Sequence, residues 1–197
     1  MHQNILIMTQ INKMSIDDIL KLKAVVLYVV KKCQAIDYFH IFKIIYFADR
    51  EHYAIYGRRI VNDTFYALKN GPVPSFLYDA VKAVEEGTNN EYIKLISSAL
   101  VAFDSNYKYI MSAKEEPDMD ELSISDIEML DKSISENKGL DFSTLSNKSH
   151  DIAWRKAWNS AENSPIDPIL MAKAAGATDA TIEYIKESEF FKTIASA

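Results

Sequence analysis

The densest polar cluster in this 197-residue chain is Asp49-Arg50-Glu51-His52. Asp49 and His52 stand three apart, so on a helix they share a face, and Tyr56 continues it. A carboxylate beside an imidazole can orient a general base. The same residues also suit a helix end leaving a core, with Asp49 or Glu51 paired to Arg50 or Arg58, because structural ion pairs produce the same pattern. The structural reading is preferred. The alternative stays open: a small enzyme using an Asp/His site on a small-molecule substrate.

Two further groups carry chemistry. Lys43 interrupts an apolar run, with His40 and Arg50 near the same stripe. Burial would depress its pKa, but a lysine in such a run more often reaches its ammonium out to the helix edge, and that is the expectation. His150 and Trp154 are four apart and can stack on one helical face, either as a ligand-binding pair or, preferably, as a packed helix end. Phosphate loops of the G-x-x-x-x-G-K-[ST] or G-x-G-x-x-G kind are missing. One cysteine, and histidines at 2, 40, 52 and 150, offer no zinc-type spacing. Neither a cofactor nor a metal is expected.

These residues need elements to hold them. Ser15 is a good N-cap for a first helix, with Asp17 and Asp18 in its first turn. Asp37 can cap a second helix, "YFHIFKIIYFADREHYAIYG", whose first half is apolar nearly all round and therefore buried, with Gly57 as its C-cap. "DTFYALK" alternates like a strand. In Gly71-Pro72-Val73-Pro74, the glycine permits a positive φ and the prolines stiffen a strand-to-helix corner, Pro74 suiting the first turn of the next helix. That corner either only joins two elements or also forms part of a binding groove, presenting Ser75, Phe76 and Tyr78. Residues 92–112 read as extended, with a hairpin turning at Asp104-Ser105-Asn106. Ser125 with Glu128 gives a capping-box spacing, and Ile124 with Met129 a hydrophobic staple. A short helix follows over "DFSTLSNKSHD", then the Trp-rich "IAWRKAWNS", then a helix between Asp167-Pro168 and Gly176, then a last helix from about Thr178 to Ile194. The expected fold is α+β and mostly α-helical: a helical domain around a buried central helix with a small antiparallel β-sheet. The expected division is a flexible N-terminal extension at 1–14, a domain at 15–160 and a C-terminal helical extension at 161–197.

Charge narrows the partners. The net charge is −6, and it is uneven: residues 1–70 carry 10 Lys/Arg and 6 Asp/Glu, whereas the remainder carries 12 and 22. Nucleic acid is a poor primary partner for so acidic a chain, since affinity for phosphates comes from Lys and Arg. The segment 115–131 holds eight acids and no base. Its first part, with Glu115, Glu116, Asp118 and Asp120, is either a solvated loop or a steering surface for a basic protein. No apolar run reaches membrane-spanning length. The single Cys33 argues for a reducing compartment, and the start lacks a basic head and cleavage site, so a cytoplasmic protein is expected.

"KIIYFADREHYAIYGRRI", followed by "YALKNGPVPSFLYDAV", resembles the Panacea domain, the SocA-like antitoxin family. The motif residues are Lys43, Tyr46, Asp49, Arg50 and His52, then Tyr56-Gly57-Arg58 and Gly71-Pro72-Val73-Pro74. Leu145-Ser146, Ser149-His150 and Trp154 look like the family's closing motif. The resemblance covers about 18–158 and leaves the tail from Ile166 outside. It implies a bacterial or phage antitoxin without catalytic residues, whose partner is a cognate protein toxin neutralised by direct contact. The family's namesake instead hands its toxin to a protease, so the resemblance also allows a cellular protease as a second partner.

Overall fold

A computed structural model describes residues 14–105 and 108–195. In chain order its elements are α1 (Ile16–Cys33), β1 (Ile36–Asp37), α2 (Tyr38–Tyr56), β2 (Phe65–Leu68), β3 (Gly71–Pro74), α3 (Ser75–Glu86), α4 (Glu91–Ser97), β4 (Leu100–Ser105) and β5 (Lys108–Ala113). A 3-10 turn (Met119–Glu121) leads to α5 (Ile124–Asn137), α6 (Phe142–Ser149), α7 (Ile152–Ser160), α8 (Pro168–Ala174) and α9 (Asp179–Ala195). The fold is α+β and mostly helical, as expected. Its strands form two small antiparallel sheets rather than one: β1-β5-β4 and the hairpin β2-β3. Of the expected N-terminal extension, residues 1–13 lie outside the described residues, as does Asn106 of the expected turn.

Helix α2 is the centre because its first half is apolar nearly all round, and after Phe39 every residue up to Asp49 is buried. Ile41, Phe42, Ile44, Ile45, Tyr46 and Phe47 are all buried, and so are the polar His40, Lys43, Asp49 and His52. Asp37 caps its start by accepting from the His40 N–H at 3.0 Å. Gly57 ends it in the left-handed region at φ 65°. Helices α1, α5 and α8 and the β2-β3 hairpin pack around it. Ser15 caps α1 with a full capping box to Asp18.

Two expectations fail locally. Residues 91–97 are a helix, not extended chain: the Asn90 side chain accepts from the Tyr92 and Ile93 N–H groups and starts it. Seven residues make barely two turns, too few for apolar spacing to separate helix from strand. The cap of α5 is Ser123 with Asp126, not Ser125 with Glu128. Asp126 is fully buried and is drawn to that position by Lys21 at 2.8 Å, a partner 105 residues away.

Phe42→Ala should cost ~3–5 kcal/mol, because Phe42 is only 2% exposed and its loss leaves a cavity beside Tyr38 and Tyr78. Urea denaturation measures this, and a loss under ~1 kcal/mol would place Phe42 outside the core.

Candidate functional site

The hairpin β2-β3 is where the sequence motifs meet. Its strands pair Phe65 with Pro74 and Leu68 with Gly71 across a turn at Lys69-Asn70. Lys43 crosses from α2 and donates through Nζ to the Pro72 carbonyl at 2.7 Å. Its side chain is fully buried, so it does not reach the helix edge as expected. The reason is tertiary: β3 supplies an acceptor, and the Phe39 ring lies 4.7 Å from Nζ. Burial drives the Lys43 pKa down to about 7.

Gly71 has φ +103°, as its place in the motif predicts. Space demands glycine as well. A Cβ there would fall 2.2 Å from Ser149 Oγ and 3.0 Å from Lys43 Nζ. Ser149 Oγ donates to the Ser146 carbonyl at 2.7 Å, and Ser146 Oγ to the Asn70 carbonyl at 3.3 Å. The Trp154 indole N–H donates to the Leu68 carbonyl at 3.0 Å. The hairpin is thus gripped by α2 on one side and by α6 and α7 on the other.

His150 stacks on Trp154 with centroids 3.7 Å apart and planes 12° off parallel, and Trp158 continues the stack at 5.4 Å. The pair does not share a helix face. His150 ends α6, Asp151 caps α7, and Trp154 lies one turn in. Burial lowers the His150 pKa, and Lys43 lowers it further. Its Nε2 is buried without a hydrogen-bond partner among the described residues.

Pro74 stands at the N-cap of α3, not inside its first turn, and makes no side-chain cap. Asp63 supplies that cap from outside the helix. It accepts from Ser75 Oγ at 3.1 Å and from the Phe76 and Leu77 N–H groups at 3.0 Å each. Burial raises its pKa, while those hydrogen bonds pull the other way. Sequence reading missed Asp63. The usable signal was a helix whose N-cap is proline, which must borrow an acceptor elsewhere.

The polar cluster on α2 is spent on structure, through partners other than those expected. Asp49 binds Arg59, at 2.6 Å to Nη2 and 2.8 Å to Nε, and accepts from the Ile60 and Val61 N–H groups at 2.7 and 3.1 Å. Arg50 pairs with Asp151 at 2.6 Å, which also accepts from the Tyr46 hydroxyl at 2.8 Å. Glu51 pairs with Lys132 at 2.6 Å, and Arg58 with Asp126 at 3.3 Å. The His52 ring lies between the Arg58 carbonyl at 2.8 Å and Ser125 Oγ at 3.0 Å, and burial lowers its pKa. Asp49 and His52 are both closed off from solvent.

Among the expected contact residues, Gly71, Pro72 and Pro74 are buried, whereas Val73, Ser75, Phe76 and Tyr78 keep part of their surface. The acidic segment lies elsewhere, along α1. Glu115 pairs with Lys23 and Glu116 with Lys31, while Asp118 caps the 3-10 turn and Asp120 is exposed. Among the described residues no group of three His, Cys, Asp or Glu side chains is placed to hold a metal ion, and no helix is long and apolar enough to cross a membrane.

A helical domain is built on one buried helix, with a hairpin locked to it by lysine, serine and tryptophan. Residues 41–155 match the family model for the antitoxin SocA-like Panacea domain, and the chain belongs to that family. The match includes Lys43, Gly71, His150 and Trp154, and it is shorter than the resemblance over about 18–158. Comparisons with curated proteins and with solved structures gave no significant match.

Two outcomes follow from the lysine and the glycine. Gly71→Val should cost at least ~2 kcal/mol from its φ alone, before any clash, and thermal denaturation reads it. For Lys43, the folded pKa of about 7 lies below the 10.5 of an exposed lysine in the unfolded chain. Between those values the unfolded chain binds more protons, so the contribution of Lys43 to stability rises with pH across that window and is flat below it. Urea midpoints from pH 7 to 10 should therefore climb for the wild type relative to Lys43→Met. Parallel curves would mean that the amine is not buried.

Proposed function

We propose that this chain is the antitoxin of a bacterial or phage toxin–antitoxin system and neutralises a cognate protein toxin by direct contact. The observation that carries this reading is the family match over residues 41–155. The closed surroundings of Asp49 and His52 support contact over turnover, since a general base must reach its substrate. The contact surface is proposed to include Val73, Ser75, Phe76 and Tyr78, which stand on a backbone fixed by Lys43 and Asp63. Side chains on rigid backbone lose little freedom on binding, and that favours affinity. Glu115, Glu116, Asp118 and Asp120 add steering toward a basic toxin, moderated by the lysines already paired to the first two.

Co-expression with the product of the adjacent open reading frame tests the reading. The expected result is rescue of growth and a stoichiometric complex on purification. Rescue without a complex, together with toxin levels that recover when a cellular protease is removed, would assign the proteolytic-adaptor mode instead. Absence of both rescue and complex would overturn the antitoxin reading. Reversing the four acidic charges should slow association and weaken its salt dependence while leaving dissociation nearly unchanged. A well-folded His52→Gln protein should neutralise as the wild type does, and loss of neutralisation with binding intact would favour the enzyme alternative.

A further inference from the structure

A cleft of about 210 Å³ opens between the start of α2, the outer face of α3 and strand β5. Its wall is aromatic and acidic: Tyr38, Tyr78 and Tyr109 with Glu85 and Glu86. Tyr38 and Tyr78 both rest on the buried Phe42 ring, at 5.6 and 6.3 Å between centroids, so their positions are set by the core. Tyr109 reaches in from the neighbouring sheet and is 40% exposed. The α3 residues Tyr78, Lys82, Glu85 and Glu86 follow helical spacing and share one face.

The chemistry of this wall favours a cation. Tyrosine faces attract positive charge, and carboxylates at the rim complete the field. The chain's own Lys82 already responds to it, with Nζ 5.7 Å from the Tyr78 ring and 3.8 Å from Glu86. That exposed ion pair is weak and easily displaced. Burial raises the pKa of the Tyr38 hydroxyl, and the nearby Asp37 and Glu85 carboxylates add to that shift. A cleft bounded by side chains of only two helices and one strand has room for a single long side chain rather than a folded element. A planar guanidinium stacks on tyrosine and forks to carboxylate better than an ammonium does.

We propose that this cleft receives an arginine side chain from the protein partner. The identity of that partner as a toxin rests on the antitoxin reading, but the cation specificity of the cleft does not. The test has two arms. In the first, a short acetylated and amidated peptide Gly-Arg-Gly is titrated into the full chain and followed by NMR, beside an otherwise identical citrulline peptide. Saturable shifts at Tyr38, Tyr78 and Tyr109 with arginine only, reduced about threefold or more in affinity by Glu85→Gln and by Tyr109→Ala, would bear out the proposal. Equal shifts with citrulline, or shifts spread over the acidic segment at 115–121 instead, would overturn it. Both substitutions are on exposed positions, and unchanged thermal midpoints show that the fold is kept. In the second arm, the same variants are measured against the product of the adjacent open reading frame. Faster dissociation than wild type places the cleft in the interface, whereas unchanged dissociation removes it. If the wild type itself fails to bind, the antitoxin reading falls and the peptide arm alone decides the cleft.

Discussion

The bond from Lys43 to the Pro72 carbonyl is the constraint on which the rest of this structure turns. A strand written Gly-Pro-Val-Pro has given up two of its four backbone donors. A two-stranded hairpin is marginal by itself, and this one lacks even a full ladder. It persists because it is tied from outside. Lys43 holds it from α2, Ser146 and Trp154 hold its turn from α6 and α7, and residues 164–166 bond its outer strand through Ala67 and Phe65. A lysine buried for this purpose pays in desolvation, and the structure limits that penalty by letting the amine lose its proton near neutrality. A neutral amine still donates to the carbonyl.

The same logic runs through the polar residues of α2. Each leaves the helix toward a different neighbour: Asp49 to the 59–61 backbone, Arg50 to the α6–α7 junction, Glu51 to α5 and His52 to the Arg58 carbonyl. Apolar packing around such a helix tolerates changes of similar volume, losing uniqueness before it loses stability. Charged and hydrogen-bonded ties fix which element sits where. Such buried ties cost much if one partner is lost, because the other is left unpaired. The motif residues Lys43, Asp49, Arg50 and His52 are therefore structural joints.

The surface itself has two acidic regions of different character. Along α1 the acids of 115–116 are already met by lysines, so much of their field is cancelled locally. Around Tyr38, Tyr78 and Tyr109 the charge is combined with ordered aromatic walls. Charge alone speeds encounter and is screened by salt. Charge with shape discriminates among partners.

The sequence by itself determined α2, its caps at Asp37 and Gly57, the positive φ of Gly71 and the order of the C-terminal helices. Each of these depends on neighbours within a turn or two of chain: apolar periodicity, capping side chains, or a residue with no Cβ. It misplaced α4, whose seven residues are too few to show a period, and it put the α5 cap two residues late, at Ser125 instead of Ser123. Only the tertiary structure decided where the charges go. Lys43 is buried and not at the helix edge because β3, 29 residues onward, brings it an acceptor. Asp49 takes Arg59 rather than Arg50 because the chain after Gly57 turns back to offer two N–H groups beside that guanidinium. Asp63 became the cap of α3 because Pro74 could not serve. A charged side chain is long and its partners lie at any separation along the chain, so its pairing is set by the fold that brings them within 3 Å and not by local pattern.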